Sequence, residues 1–244
     1  MQANIIQVAA APYGSYIYGP VVDGSFVPES APMLLVLGQF DHNMEIMVGH
    51  NADEGLMFTD PKTTTDDAFN SLVSSLFPTD ESVASYIENT IYPPIFNGSM
   101  PYTDDFDRAS LLIGEVVLTC NTFYLDTAYL NETYAYIFSV PPALHGGDVA
   151  YTFYVGPYGS QYDSVSLNTT VAAVLQDYIT SFAVNGQPST GVQDVPSFGK
   201  YGLNAMVSNL SSTGITRITD NVANSRCTWW QHWLAHDGNI GRVS

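Results

Sequence analysis

Positive charge is nearly absent from this chain. Lysine and arginine number 6 in 244 residues, against 24 aspartates and glutamates, for a formal net charge of −18. Phosphate backbones are held by clustered lysines and arginines, so this composition excludes a nucleic-acid partner. Charge of either sign is scarce, at 12% of residues, where about 25% is usual. No run of about 18 uncharged apolar residues occurs, so the sequence offers no membrane span. Met1 to Ala11 carries no basic residue and only a broken apolar stretch, which is not the pattern of a secretory leader. Internal repeats and low-complexity tracts are absent. Cysteine is limited to Cys120 and Cys227. Either they close a loop by a disulfide, or they are two buried thiols; residue-level reasoning leaves both open.

What is present is a globular composition. Hydrophobic residues make up 45% and aromatics 13%, enough for one sizeable core or part of a larger one, and too much for a disordered chain. Four Asn-x-Ser/Thr sequons, at Asn97, Asn131, Asn168 and Asn209, lean toward a secretory history. A secretory body without a leader suggests that part of the protein lies upstream.

Hydrophobic periodicity orders the chain. Residues 1–40, rich in glycine, proline and aromatics, read as irregular. Met44 to His50 is short, apolar and bounded by glycine, a buried strand. The loop Asn51-Ala52-Asp53-Glu54-Gly55 follows it. Helical spacing predicts helices over Thr65–Leu76, Asp80–Ile91, Asp104–Tyr129, Leu167–Val184 and Asn224–Ala235. Asn185-Gly186 supplies a C-cap to the fourth of these. Strands are expected over Thr133–Val140, Ala205–Leu210 and Ile215–Thr219. Strands alternating with helices predict an α/β fold with a largely parallel sheet. In such sheets ligands sit beyond the carboxyl ends of the strands. Two loops there present chemistry: Glu54 after the first strand, and His145, in Leu144-His145-Gly146-Gly147-Asp148, after the second. A carboxylate and an imidazole are the acid–base half of a nucleophilic triad.

Four segments carry a family resemblance. Gly19-Pro20-Val21-Val22-Asp23-Gly24-Ser25-Phe26-Val27-Pro28 resembles a segment that type-B carboxylesterases, cholinesterases and related fungal lipases carry after their nucleophile region. Val48 to Gly55 is similar to the family's strand and Asn-x-Asp-Glu-Gly loop, whose glutamate is the triad acid, here Glu54. Leu144 to Phe153 resembles the His-Gly-x-Asp/Glu segment, whose histidine is the base, here His145. Cys227-Thr228-Trp229-Trp230 resembles the final Cys-x-x-Trp helix. In cholinesterases that cysteine pairs with one placed like Cys120, so the resemblance implies a Cys120–Cys227 disulfide. Phe58-Thr59-Asp60-Pro61 has the style of fungal members. The likeness runs from about residue 15 to 235.

The resemblance implies that residues 1–244 are one partial α/β-hydrolase domain, the C-terminal region, lacking the N-terminal strands and the nucleophile elbow. The family's Gly-x-Ser-x-Gly is nowhere in the chain, and neither is its Gly-Gly oxyanion loop. The implied activity is carboxylic ester hydrolysis in a secreted protein, on a small-molecule or lipid ester, with no metal or organic cofactor. The chain alone is expected to be inactive, and poorly soluble through an unpaired sheet edge. Rival expectations are a non-catalytic cholinesterase-like adhesion protein, or a truncated product without its own function. His42, His50, His232, His236 and the tryptophans Trp229, Trp230 and Trp233 are read as packing or surface residues.

Overall fold

The computed structural model describes residues 21–156 and 167–236. Its centre is a sheet in the order β1-β2-β3-β4. Strands β1 (Met47–Asn51), β2 (Tyr134–Ser139) and β3 (Met206–Ser211) run parallel, and β4 (Gly214–Thr219) returns antiparallel to β3. The largely parallel α/β sheet expected from the sequence is what forms.

A long helical excursion joins β1 to β2. It contains α2 (Asp66–Leu76), α3 (Glu81–Tyr86), α4 (Asp105–Gly114) and α5 (Cys120–Ala128). Each of the first, second and third starts on a side-chain cap: Thr65, Asp80 and Asp104 accept from the backbone N–H three residues on. Phe69, Val73, Ile87, Tyr92 and Leu112 of the excursion pack a core together with Trp230, which comes from the far end of the described chain. The stretch read as one helix over Asp104–Tyr129 is continuous but contains a π turn at Glu115–Thr119, and a second π turn, Ile87–Ile91, ends the stretch read as Asp80–Ile91. At the first, buried Glu115 takes Tyr92 Oη at 2.6 Å and two nitrogens of Arg226. Trp230 Nε1 donates to Tyr92 Oη at 2.8 Å, so the tryptophan cluster is core packing with one polar anchor.

Between β2 and β3 lie the short α6 (Val149–Thr152) and α7 (Thr169–Asn185), which ends at Gly186 in the left-handed conformation. Helix α7 covers one face of the sheet: Val171, Leu175 and Tyr178 meet Tyr134, Phe138 and Leu210. Ala135, Ile137 and Val207 point to the other face. The last described element is α8 (Ser225–His236), tied to the start of α5 by the Cys120–Cys227 disulfide.

One expectation needs correcting. Residues 1–40 were read as irregular; of these, 1–20 lie outside the described residues, but Ala31–Val36 is helical, here α1. Pro32 sits in its first turn, where a missing N–H costs nothing. Six residues with no buried member are too few to show a period.

Beneath β1 lies a buried polar group. Asp126 on α5 accepts from the Thr133 hydroxyl, and burial pushes its carboxyl up to about 7, with Asp220 adding to the rise. Its folded value stands above the ordinary unfolded value of about 3.9. The folded state therefore holds a proton that the unfolded state has lost. The stability this contributes is full below about 3.9 and fades as pH climbs to about 7. Asp126→Asn should remove that dependence. Urea denaturation across pH should show the variant gaining on the parent chain up to about pH 7 and then running level. A constant offset at every pH would show that burial does not raise the Asp126 carboxyl above its unfolded value.

Candidate active site

Glu54 and His145 are 91 residues apart in sequence and adjacent in space. Strand pairing does this: β1 and β2 are parallel neighbours, so their carboxyl ends open side by side. Backbone bonds extend the pairing past the strands. Ala52 N–H donates to Phe138 O and Asp53 N–H to Ala143 O, both at 3.0 Å, and Asp53 bridges Leu144. The acid loop and the base loop are thus one continuation of the sheet.

Glu54 is 6% exposed and directs Oε2 at His145 Nδ1, 2.6 Å away, while the His145 side chain is 45% exposed. Phe58 lies edge-on to the imidazole at 5.2 Å between centroids. The other carboxylate oxygen, Oε1, accepts from the Asn51 N–H at 2.7 Å and from Asn51 Nδ2 at 3.1 Å. An imidazole with one nitrogen fixed on a buried carboxylate has the geometry of a general base held in a chosen orientation.

The acid loop is seated by glycine. A Cβ at Gly55 would lie 1.9 Å from the Ser110 carbonyl oxygen, and one at Gly114 would lie 3.1 Å from the Gly55 nitrogen. The loop therefore rests directly on the backbone of α4, and Thr59 Oγ1 closes it by donating to Gly55 O at 2.9 Å. A cleft of about 350 Å³ opens beside this seat, lined by His50, Asp53, Asp107, Ser110 and Arg226 among others. Its walls contain neither Glu54 nor His145. Burial, and then the Asp107 carboxylate, push the Asp53 carboxyl upward.

The other residues singled out from sequence fall elsewhere. His50 is buried at the end of β1, with Nδ1 donating to Asn51 O and Nε2 4.0 Å from Asp220. His232 and His236 are exposed on α8, with their rings stacked 6.4 Å apart. Among the sequons, Asn97 is exposed, Asn131 half-buried, and Asn168 caps α7. Asn209 lies inside the sheet and accepts from Ser139 Oγ at 2.6 Å. Among the described residues no cluster of three or more metal-ligating side chains occurs, and no helix is long and apolar enough to cross a membrane. Asn51 and Asp148 stand inside the two loop motifs, where a sequence pattern alone gives neither a role.

Comparison with known proteins adds a lineage to this geometry. The profile of the carboxylesterase family matches residues 2–230. Carboxylesterase patB of Penicillium expansum is 40% identical over 233 residues, covering 95% of this chain and 40% of that protein. Carboxylesterase patB of Aspergillus clavatus is 36% identical over 230 residues, 94% of this chain and 40% of the relative. Mouse neuroligin-3 is 25% identical over 269 residues, 91% of this chain and 32% of its own length. Among solved structures, Aspergillus niger EstA superposes with a TM-score of 0.75 at 19% identity, over 91% of this chain and 46% of that one. The chain spans about two fifths of the length of the curated carboxylesterases it matches.

Proposed function

Because the chain belongs to the carboxylesterase family, we propose that it carries the acid and base of a serine-type carboxylic ester hydrolase of α/β-hydrolase fold, Glu54 and His145. The 2.6 Å contact between His145 Nδ1 and Glu54 Oε2, at the ends of neighbouring parallel strands, carries this reading. With Nδ1 committed to the carboxylate, Nε2 is the atom left to take a proton from a serine hydroxyl and return it to the leaving alcohol. Buried Glu54 stabilises the imidazolium formed between those two transfers. The acyl-enzyme is then hydrolysed by water that the same nitrogen activates. No metal or organic cofactor enters these steps.

The chain holds no Gly-x-Ser-x-Gly. In this reading the serine and the oxyanion donors belong to that part of the relatives' length which these residues do not span. Residues 1–244 then form one unit, the C-terminal region of the hydrolase domain, whose sheet continues from the open side of β1. The exposed sequon at Asn97 and a disulfide support passage through an oxidising, secretory compartment. The neuroligin likeness raises a non-catalytic alternative, but the retained and correctly oriented Glu54–His145 pair favours catalysis.

The test is hydrolysis of p-nitrophenyl acetate and butyrate. The chain alone should match its His145→Ala variant, since without nucleophile and oxyanion hole nearly all acceleration is lost. A burst of one p-nitrophenolate per chain would reveal a nucleophile within these residues. Co-expression with the Gly-x-Ser-x-Gly-bearing portion of a curated relative should restore turnover that His145→Ala abolishes. Turnover indifferent to His145 would defeat the assignment.

A further inference from the structure

We propose that Asn51 is a positioning residue for the Glu54–His145 pair, and that Asp148 holds Asn51 in place. The inference rests on the reading of that pair as the acid and base of the site. A glutamate's terminal torsion is broad, so covalent structure alone does not aim the carboxylate at its partner. Here the aim comes from Asn51, which is 4% exposed at the last position of β1. Its backbone N–H and its Nδ2 both donate to Glu54 Oε1, at 2.7 and 3.1 Å, and this leaves Oε2 facing His145.

The Asn51 amide is itself fixed from the other loop. Nδ2 also donates to Asp148 Oδ1 at 3.2 Å, and Asp148 stands three residues after His145. One nitrogen with two protons thus bridges two carboxylates, which a primary amide can do and a hydroxyl cannot. The flipped amide would set Oδ1 against both carboxylates, so the network fixes its orientation. Oδ1 is buried without a partner, so the placement of this side chain follows from its donors alone. The Tyr136 hydroxyl donates to Asp148 Oδ2 at 3.4 Å, and burial together with Asp148 pushes the Tyr136 phenol upward, keeping it a donor. The chain of contacts Tyr136–Asp148–Asn51–Glu54–His145 leaves the base loop and returns to it through the acid loop.

The prediction is read on the tautomer of His145. The 244-residue chain is prepared with ¹⁵N-labelled histidine and observed through long-range proton–nitrogen correlations, at a pH where imidazole is neutral. His145 is assigned by its absence from His145→Ala. In the parent chain neutral His145 should carry its proton on Nδ1. In Asn51→Ala and in Asp148→Ala the proton should shift toward Nε2, the site ordinary solvated imidazoles favour. Asp148→Asn keeps an acceptor oxygen for Asn51 and should retain the Nδ1–H form. Asp148→Leu, which keeps the volume but offers no acceptor, should shift the proton as Asp148→Ala does, so that loss of the acceptor is separated from loss of packing. If Asn51→Ala does not fold, judged by the spread of its methyl resonances, the Asp148 variants carry the test. Retention of the Nδ1–H form in Asp148→Ala, or in a folded Asn51→Ala, overturns the positioning role while leaving the Glu54–His145 pair intact. Absence of that form from the parent chain overturns the pair, and the proposal with it.

Discussion

Arg108→Ala should lower the unfolding free energy by about 3–5 kcal/mol, the cost of removing one partner from a buried charged network. Arg108 is fully buried on α4, which is unusual for an arginine in so cation-poor a chain. Its guanidinium meets four acceptors. Nε donates to Tyr92 O at 2.7 Å and Nη2 to Glu88 O at 2.8 Å, both in the last turns of the α3 segment. Nη1 donates to Asp66 Oδ1 at 2.7 Å, at the start of α2, and to Asp105 Oδ1 at 3.0 Å. The plane lies 3.6 Å from the Phe69 ring centroid. One side chain therefore pins three helices. Truncation leaves carbonyls and a mostly buried Asp105 without a donor, and a cavity over Phe69. Asp66 is half exposed and can turn to water, which keeps the loss from being larger. Arg108→Lys should recover only part of it, because an ammonium cannot reach a planar set of four acceptors. Urea denaturation decides the matter: a change below about 1 kcal/mol, the range of a surface ion pair, would mean the network contributes no more than exposed charges do.

Removing the Cys120–Cys227 bond should be as costly. The bond closes a separation of 107 residues, and a loop of that order stabilises by about 4–5 kcal/mol through the entropy it takes from the unfolded chain. Both cysteines are fully buried, between α5 and α8. The Cys120→Ala/Cys227→Ala chain should unfold at a much lower urea concentration, and the parent chain should match it after reduction under denaturing conditions. The π turn beside Cys120 is held separately, by Glu115 with Arg226 and Tyr92. α8 should therefore stay docked in the native state of the variant. A loss of only a few tenths of a kcal/mol would mean that the unfolded chain already keeps α5 and α8 together.

These two predictions rest on features the sequence hid to different degrees. The cysteine pairing was open on residue-level reasoning and came from the likeness of Cys227-Thr228-Trp229-Trp230 to a family helix. Burial of Arg108 was invisible, because an arginine at helical spacing reads as a solvent-facing residue. The main helices and strands were legible because their apolar positions repeat at 3.6 or 2 and their ends carry Thr65, Asp80, Asp104 and Gly186. The strand read over Met44–His50 forms, but with shifted bounds: it starts at Met47, where pairing with Tyr134 begins, and ends at Asn51. The π turns left no mark, since the apolar positions on either side of each, taken separately, still repeat at helical spacing. At the site, Glu54 and His145 were named from motifs. What joins them, the bridge Asp53–Leu144 and the amide of Asn51, depends on strand register that no local pattern encodes.

The inward use of cations has a colloidal consequence. Among the described residues, Arg108, Arg226, Lys200 and Arg217 spend donors on neighbours within the chain, while Lys62 is exposed. The net charge of −18 leaves a strongly anionic molecule, so at neutral pH two copies meet with like fields and are kept apart. That mutual repulsion vanishes near the isoelectric point of about 4.1. An acidic medium thus withdraws the long-range repulsion between two copies, and with it one guard on the edge of β1 that, among the described residues, no strand pairs.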